Sequence, residues 1–329
     1  MNLFRLLTGC VALAALISCT SSSSSPDNNG GNPGGGDNNG NGTPNPDDQY
    51  PPGLSDHALK VVIPTHTVQP GDSFECFYTD ITPDRDIFVN GTTGKQGVGG
   101  HHITIYYATQ AMPIGHHPCD DQEMMNWRQI GAAGQEAGNG IVDMPPGVAT
   151  RVPSGHQIVV QTHYINTSAG PRDVQDEITV KLLAKEDVKA YSSAYAVVDL
   201  GFKVPAQGII TRGSACTLAK DYDFLLMLGH MHEWGAHYKL ESLDATGKVL
   251  DTIFDEDWEV SYVAHPPTKR WPLEAPYHLA KGTKLRQTCT WKNTTTDQIA
   301  FPREMCVMFS SFLADVEMEN CTDVEVTGG

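Results

Sequence analysis

Beyond residue 50 the apolar positions fall in short runs, each too short for a packed helix. Leu59-Lys60-Val61-Val62-Ile63, Ile103-Thr104-Ile105-Tyr106-Tyr107, Gln157 to Tyr164, Glu177 to Leu183, Tyr195 to Leu200, Phe224 to Leu228 and Cys306 to Leu313 are rich in β-branched and aromatic residues. Gly, Pro, Asn and Asp separate them. That punctuation predicts strands joined by turns. One stretch, Asp120 to Gly131, reads as a short helix. The expectation is an all-β chain of antiparallel sandwiches, with function carried on loops and strand faces. A polar gap at Lys185-Glu186-Asp187 divides it into halves of similar size, 51–187 and 188–325.

Before residue 50 the pattern is different. Asn2 and Arg5 precede an apolar segment, Leu6 to Ile17, which is too short to span a bilayer and suits the core of a secretion signal. It closes on Leu16-Ile17-Ser18-Cys19, which resembles the bacterial lipoprotein processing box. The expected signal peptide is 1–18, with Cys19 acylated. Leu7-Thr8-Gly9-Cys10 matches the box too, but leaves too little apolar run before it. From Thr20 to Asp48 nearly every residue is Ser, Gly, Asn, Pro or Asp, so nothing there offsets the entropy of ordering it. Residues 19–50 are expected to be a disordered tether with a reach on the order of 30 Å. The chain is expected to be exported and held at a bacterial outer membrane or cell surface through its lipid alone.

A net charge of -17 and a pI near 5.0 argue against nucleic acid and anionic membrane faces as partners. Besides Cys10 and Cys19 there are six cysteines: Cys76, Cys119, Cys216, Cys289, Cys306 and Cys321. An even number in an exported chain suggests disulfides, and without a Cys-x-x-Cys pair neither a zinc ribbon nor a thioredoxin-like centre is expected.

The histidines carry the chemistry. After the Phe224 run comes Gly229-His230-Met231-His232-Glu233-Trp234. On a continuing strand His230 and His232 share a face, and two imidazoles held rigidly can share a metal ion. Gly99-Gly100-His101-His102 enters the Ile103 run. Neighbours on a regular strand face opposite ways, so both rings reach one ion only if the chain bends, which the two glycines make easy. Gln161 and His163 share a face of another strand. His116-His117 reads as a loop pair with no strand to hold it. His156 and His237 fail the parity test against His163 and His232, and His57, His66, His265 and His278 read as ordinary polar residues. Met305 reads as core packing on its own. A bond from Cys306 to Cys289 would instead pin it at a strand entrance, and a thioether beside two imidazoles is a soft donor set suited to copper(I) rather than zinc.

Taken in order, His-His, Gln-x-His-Tyr, His-x-His and Glu-Met-Cys, at intervals of roughly sixty to seventy-five residues, resemble the copper type II, ascorbate-dependent monooxygenases. That family includes the peptidylglycine α-hydroxylating and dopamine β-monooxygenases. The resemblance implies two consecutive jelly-roll β-sandwich domains with one copper in each, facing a solvent-filled cleft. It implies that His101, His102 and His163 hold the electron-supplying copper, with Gln161 beside it. His230, His232 and Met305 would then hold the copper at which O2 binds and a substrate C–H bond is hydroxylated, with ascorbate as reductant. It also implies the disulfides Cys289–Cys306 and Cys216–Cys321, worth roughly 3 and about 4 to 5 kcal/mol in the chain-entropy model. Cys76 and Cys119 either pair with each other or remain free.

The substrate is where this chain departs from the family. Amidating relatives grip a substrate carboxylate with an arginine two residues before His-x-His, where this chain has Leu228. Their asparagine and tyrosine after Met-Cys correspond to Val307 and Phe309. A buried carboxylate is costly in apolar surroundings, so a less polar or differently anchored small-molecule or peptide-like substrate is expected rather than a glycine-extended peptide. Two other expectations compete: a copper-binding or copper-handling lipoprotein without turnover, and a structural surface protein with incidental histidines. The Asn-x-Ser/Thr sequences at Asn90, Asn166 and Asn293 are expected to be unused.

Overall fold

The computed structural model describes residues 53–124, 126–134, 143–263, 265–301, 303–321 and 324–328. The signal segment, Cys19 and the tether lie outside the described residues. The first half runs β1 (Ala58–Val62), β2 (His66–Val68), β3 (Gly71–Tyr78), β4 (Ile87–Lys95), β5 (Gly100–Ala108), β6 (Gly115–Pro118) and a single helical turn, α1 (Asp121–Met124). It continues through β7 (Trp127–Gly134), β8 (Val148–Val152), β9 (Ile158–Asn166), β10 (Arg172–Val174) and β11 (Glu177–Leu183). The second half runs β12 (Ala190–Asp199), β13 (Ile209–Thr217), β14 (Tyr222–His230), β15 (Gly235–Leu243), β16 (Val249–Asp257) and β17 (Thr268–Arg270). It ends with β18 (Tyr277–Leu279), β19 (Lys284–Lys292), β20 (Cys306–Leu313), β21 (Glu319–Asn320) and β22 (Val324–Gly328).

The expected all-β architecture of two consecutive jelly-roll-type sandwiches is what forms. In the first, the sheet β6-β3-β9-β5-β7 lies against β1-β11-β4-β8. Alternation decides the faces: Ile103, Ile105 and Tyr107 of β5 turn inward with Ile158 and Val160 of β9 to meet Val89, Ile178 and Val180 of the opposing sheet. In the second sandwich β16-β15-β19-β13-β22 lies against β12-β20-β14-β17, around Phe224, Met227, Tyr238, Trp291 and Met308.

One connection joins the halves more closely than their sequence suggests. The polar gap is a short 3-10 turn, Lys185–Asp187. Just beyond it β12 pairs in parallel with β8 (Ala190 with Val148, Tyr191 with Ala149). One sheet of each sandwich thereby becomes part of a single ten-stranded sheet. Thr150 and Ser192 share a hydrogen bond of 3.1 Å beside this pairing, and Arg151 reaches Asp315 at 2.9 Å. The ion pair is exposed and contributes little. The backbone pairing joins the halves directly.

Two local expectations are corrected. The helix expected over Asp120 to Gly131 is one turn, after which Trp127–Gly134 is a strand paired to β5. Close packing needs that strand to carry Gly131, where a Cβ would lie 2.1 Å from Thr92 Cγ2. His116-His117 is likewise on a strand, since β6 pairs with β3 at the sheet edge. Asn166 and Asn293 are buried, and their amides donate to backbone carbonyls across their own turns. Their sequences are turn chemistry.

Candidate metal centre

The first cluster is built by one irregularity. Gly100 pairs with Tyr164 and His102 with His163, so His101 is an extra residue, a β-bulge that swings its ring to the side of its neighbour's. Gly99, at φ +91°, makes the turn into it. The Nδ1 atoms of His101, His102 and His163 then lie 3.2, 3.1 and 3.4 Å apart. An ion about 2.0 Å from three nitrogens holds them roughly 3.3 to 3.5 Å apart. Three mutually facing nitrogens cannot all be satisfied by protons shared among themselves, and a metal ion satisfies them together. Among the described residues this is the group whose ligand atoms converge on a possible ion.

The supports of these rings were not visible in the sequence. His163 Nε2 faces Asp72 Oδ1 at 2.6 Å, so the proton sits on Nε2 and the Nδ1 lone pair points into the cluster. Phe74 stacks on the same ring, centroids 3.9 Å apart. Behind the cluster, buried Asp176 accepts from Gly97 N–H at 3.0 Å and from the Tyr164 hydroxyl, tying the segment before the bulge to the residue after His163. His66, expected to be an ordinary polar residue, is buried beside Asp176, its Nε2 4.0 Å from Oδ2.

The second pair is positioned differently from the expectation. β14 ends at His230, so His232 is in the following turn and not on the strand. The rings still lie 5.0 Å apart. His232 Nδ1 is 3.2 Å from the Arg303 carbonyl, so Nδ1–H donates there and Nε2 is left for a ligand. Its backbone N–H donates to Glu304 Oε2 at 3.0 Å. Trp234 N–H, Trp291 Nε1–H and Met305 N–H donate to the same carboxylate at 2.7, 3.0 and 3.2 Å. The chain leading to Met305 is thus fastened to the His-x-His turn across seventy residues of sequence. Cys289–Cys306 forms and anchors β20 to β19 immediately after Met305. Cys216–Cys321 forms as well, and Cys76 pairs with Cys119. Three disulfides suit an oxidising compartment.

Burial dominates the electrostatics. It holds His101 down to about 4 and His230 to about 3, with repulsion from neighbouring imidazoles adding to it, and puts His102 well below the ordinary value. Each cluster contributes to the other's shift, His230 and His232 at His102 and His101 and His163 at His230, so the two share one field. Neutral imidazoles are what a metal requires. Burial raises Glu304 to about 7 against the pull of its four donors. In the metal-free protein the three depressed histidines take up protons from about 6.5 downwards when unfolded, but when folded only at much lower pH. The unfolded chain therefore binds more protons across that window, and stability falls as pH drops through it. Glu304 acts in the opposite sense, as one group against three. Thermal unfolding in a chelator is expected to show Tm falling between pH 6.5 and 4.5. A flat profile contradicts this assignment.

Gln161 lies on the His163 side of β9 but not in the cluster. Its Oε1 accepts from the Tyr106 hydroxyl at 3.3 Å, and its amide lies against Cys119 and Met124 sulfurs. Among the other histidines, His116 stacks on Phe77, His117 faces Glu123, His156 packs on Tyr107, and His237 and His278 pair with Asp255 and Asp223. On the outer face of the second sandwich, Leu226, Leu228 and His230 alternate along β14 toward the first half. Phe309, opposite Leu228 in register, has its ring 6.2 Å from that of His230. It opens onto a cavity in the seam between the halves, lined among others by Gly91, Ile130, Met144, Leu226 and Ser311.

No protein-family model and no curated protein matches the sequence. Among solved structures, PNGase F, a glycosylasparaginase from Flavobacterium meningosepticum, matches at 10% identity over 82% of this chain and 99% of its own, with a TM-score of 0.34. A putative secreted protein from Parabacteroides distasonis matches at 7% identity over 80% and 93%, with a TM-score of 0.19. Likeness this slight says nothing about the site.

Proposed function

We propose that this chain is a copper-dependent monooxygenase that hydroxylates a C–H bond of a small, uncharged or peptide-like substrate, using O2 and a reductant such as ascorbate. The observation that carries the reading is the convergence of three imidazole nitrogens at metal-binding separations, in one field with a second imidazole pair fastened to a methionine segment. His101, His102 and His163 would hold one copper, and His230, His232 and Met305 the other. Two bound coppers would supply one-electron transfer and O2 activation, the three-imidazole site suiting transfer and the softer site with its thioether favouring copper(I).

The rest is the work of the chain's own groups. Burial keeps the rings of His101, His102 and His230 neutral. Asp72 and the Arg303 carbonyl each hold one proton of a ring so that its other nitrogen stays available. Leu228, two residues before His230 on the same strand face, and Phe309, whose ring lies 6.2 Å from that of His230, put apolar surface beside the site, which favours an uncharged group there. The three disulfides support export, and the sequence around Cys19 supports a lipid anchor there.

The test is metal analysis of the intact, purified chain, with its mass checking the modification at Cys19. Ascorbate-driven O2 uptake over a panel of neutral substrates, with a search for products one oxygen heavier, follows. Two coppers per chain and substrate-dependent uptake are expected. Two coppers without uptake leave a copper-handling lipoprotein, and no bound copper defeats the reading.

A further inference from the structure

We propose that Glu304 is the positioning residue of the second candidate metal site, a buried carboxylate that sets where Met305 stands relative to His232. The proposal rests on the copper reading for its consequence, but not for its geometry. Glu304 is fully buried, and among the described residues no cation pairs with it. Such a carboxylate is costly to bury unless hydrogen bonds replace its water, and four N–H groups do so here.

The donors come from three separate places. Two are backbone groups of the turn after β14, at His232 and Trp234. One is the indole of Trp291, which is itself fully buried in β19 and stacked on Phe202, centroids 4.1 Å apart. The last is the N–H of Met305 itself. The preceding residue, Arg303, receives the His232 ring proton through its carbonyl, and its guanidinium covers Trp234 at 4.8 Å. Residues 303 to 305 therefore orient the His232 ring, hold its backbone and offer a thioether, all in one short stretch. Three of these donors meet Oε2 and Trp234 N–H meets Oε1, so a carboxylate satisfies all four. An amide offers one oxygen, and its NH2 would face the donor side at the other position. An apolar residue would leave the buried N–H groups without partners, at about 1 to 3 kcal/mol each.

A merely structural carboxylate would be indifferent to what Met305 binds, so the test follows the ligand as well as the fold. In the metal-free protein, Glu304→Gln is expected to speed hydrogen exchange at the amides of His232, Trp234 and Met305 at least about tenfold. In the copper-loaded, reduced protein, X-ray absorption is expected to lose the sulfur contribution seen in the wild type, and the second copper to bind about tenfold more weakly. The first copper is unaffected. Glu304→Asp, which keeps the charge but shortens the reach by one methylene, is expected to show the same changes in weaker form and serves if the glutamine variant does not fold. Unchanged exchange at those amides in a folded variant overturns the proposal. So does a retained sulfur signal with unchanged affinity. A wild type that binds copper without a sulfur ligand defeats the copper reading of Met305 instead, while the exchange experiment still decides whether Glu304 holds the turn.

Discussion

Alanine in place of His163 is expected to reduce bound copper from two ions per chain to one and to lower ascorbate-driven turnover by on the order of a hundredfold or more. His163 Nδ1 closes the triangle with His101 and His102, and its Nε2 is the atom that Asp72 holds. Without it the remaining two nitrogens, 3.2 Å apart, are a weak site. Met305→Ala is expected to do the converse, preserving the first copper and weakening the second. The pair is checked by metal content after gel filtration and by O2 uptake. Equal loss of both ions in either variant contradicts the two-site assignment.

Gly229→Ala is expected to be the most damaging single-atom change near the second site. A Cβ at Gly229 would lie 2.1 Å from Tyr238 Cε1 and 2.6 Å from its Cζ. Tyr238 is fully buried among Phe254 and Trp258, so its ring has nowhere to go. The strand must move instead, and the next residue is His230. Overpacking of this kind costs about 3 kcal/mol, a fall in Tm on the order of 6 °C or more. The second copper is expected to be lost with it. Gly170→Ala is the control, because open space surrounds that position and its backbone is ordinary. Equal melting temperatures for the two variants would refute the packing argument.

Most of the strands could be read from the sequence because their apolar runs lie across sandwiches. β11, from Glu177 to Leu183, alternates half-buried and buried positions, and a two-residue period survives in the sequence wherever one face is buried. The stretch after Asp120 misled because a four-residue turn and a glycine-bearing strand share a window in which periodicity is ambiguous. His116 and His117 misled because an edge strand carries few apolar residues. The ligand residues were legible as types and spacings. Glu304 was not, although it stands between Arg303 and Met305, since a glutamate next to a strand is ordinarily exposed. Asp176 was hidden for the same reason, and Asp72, which is exposed, was hidden because its partner His163 lies 91 residues away.

The sequence by itself determined that the chain folds as β-sandwiches, that its cysteines come in pairs, and that two groups of histidines lie on or beside strands. These are local matters of alternation, punctuation and composition. Tertiary structure alone decided that His101 is a bulge residue, that His232 lies beyond its strand, and that a parallel pairing of β8 with β12 joins the two halves. It also decided which carboxylates stand behind the ligands. The reason is physical: donors such as the N–H groups of His232 and Met305 must find an acceptor once water is removed, and that acceptor is supplied by whichever segment the fold brings near, at any distance along the chain.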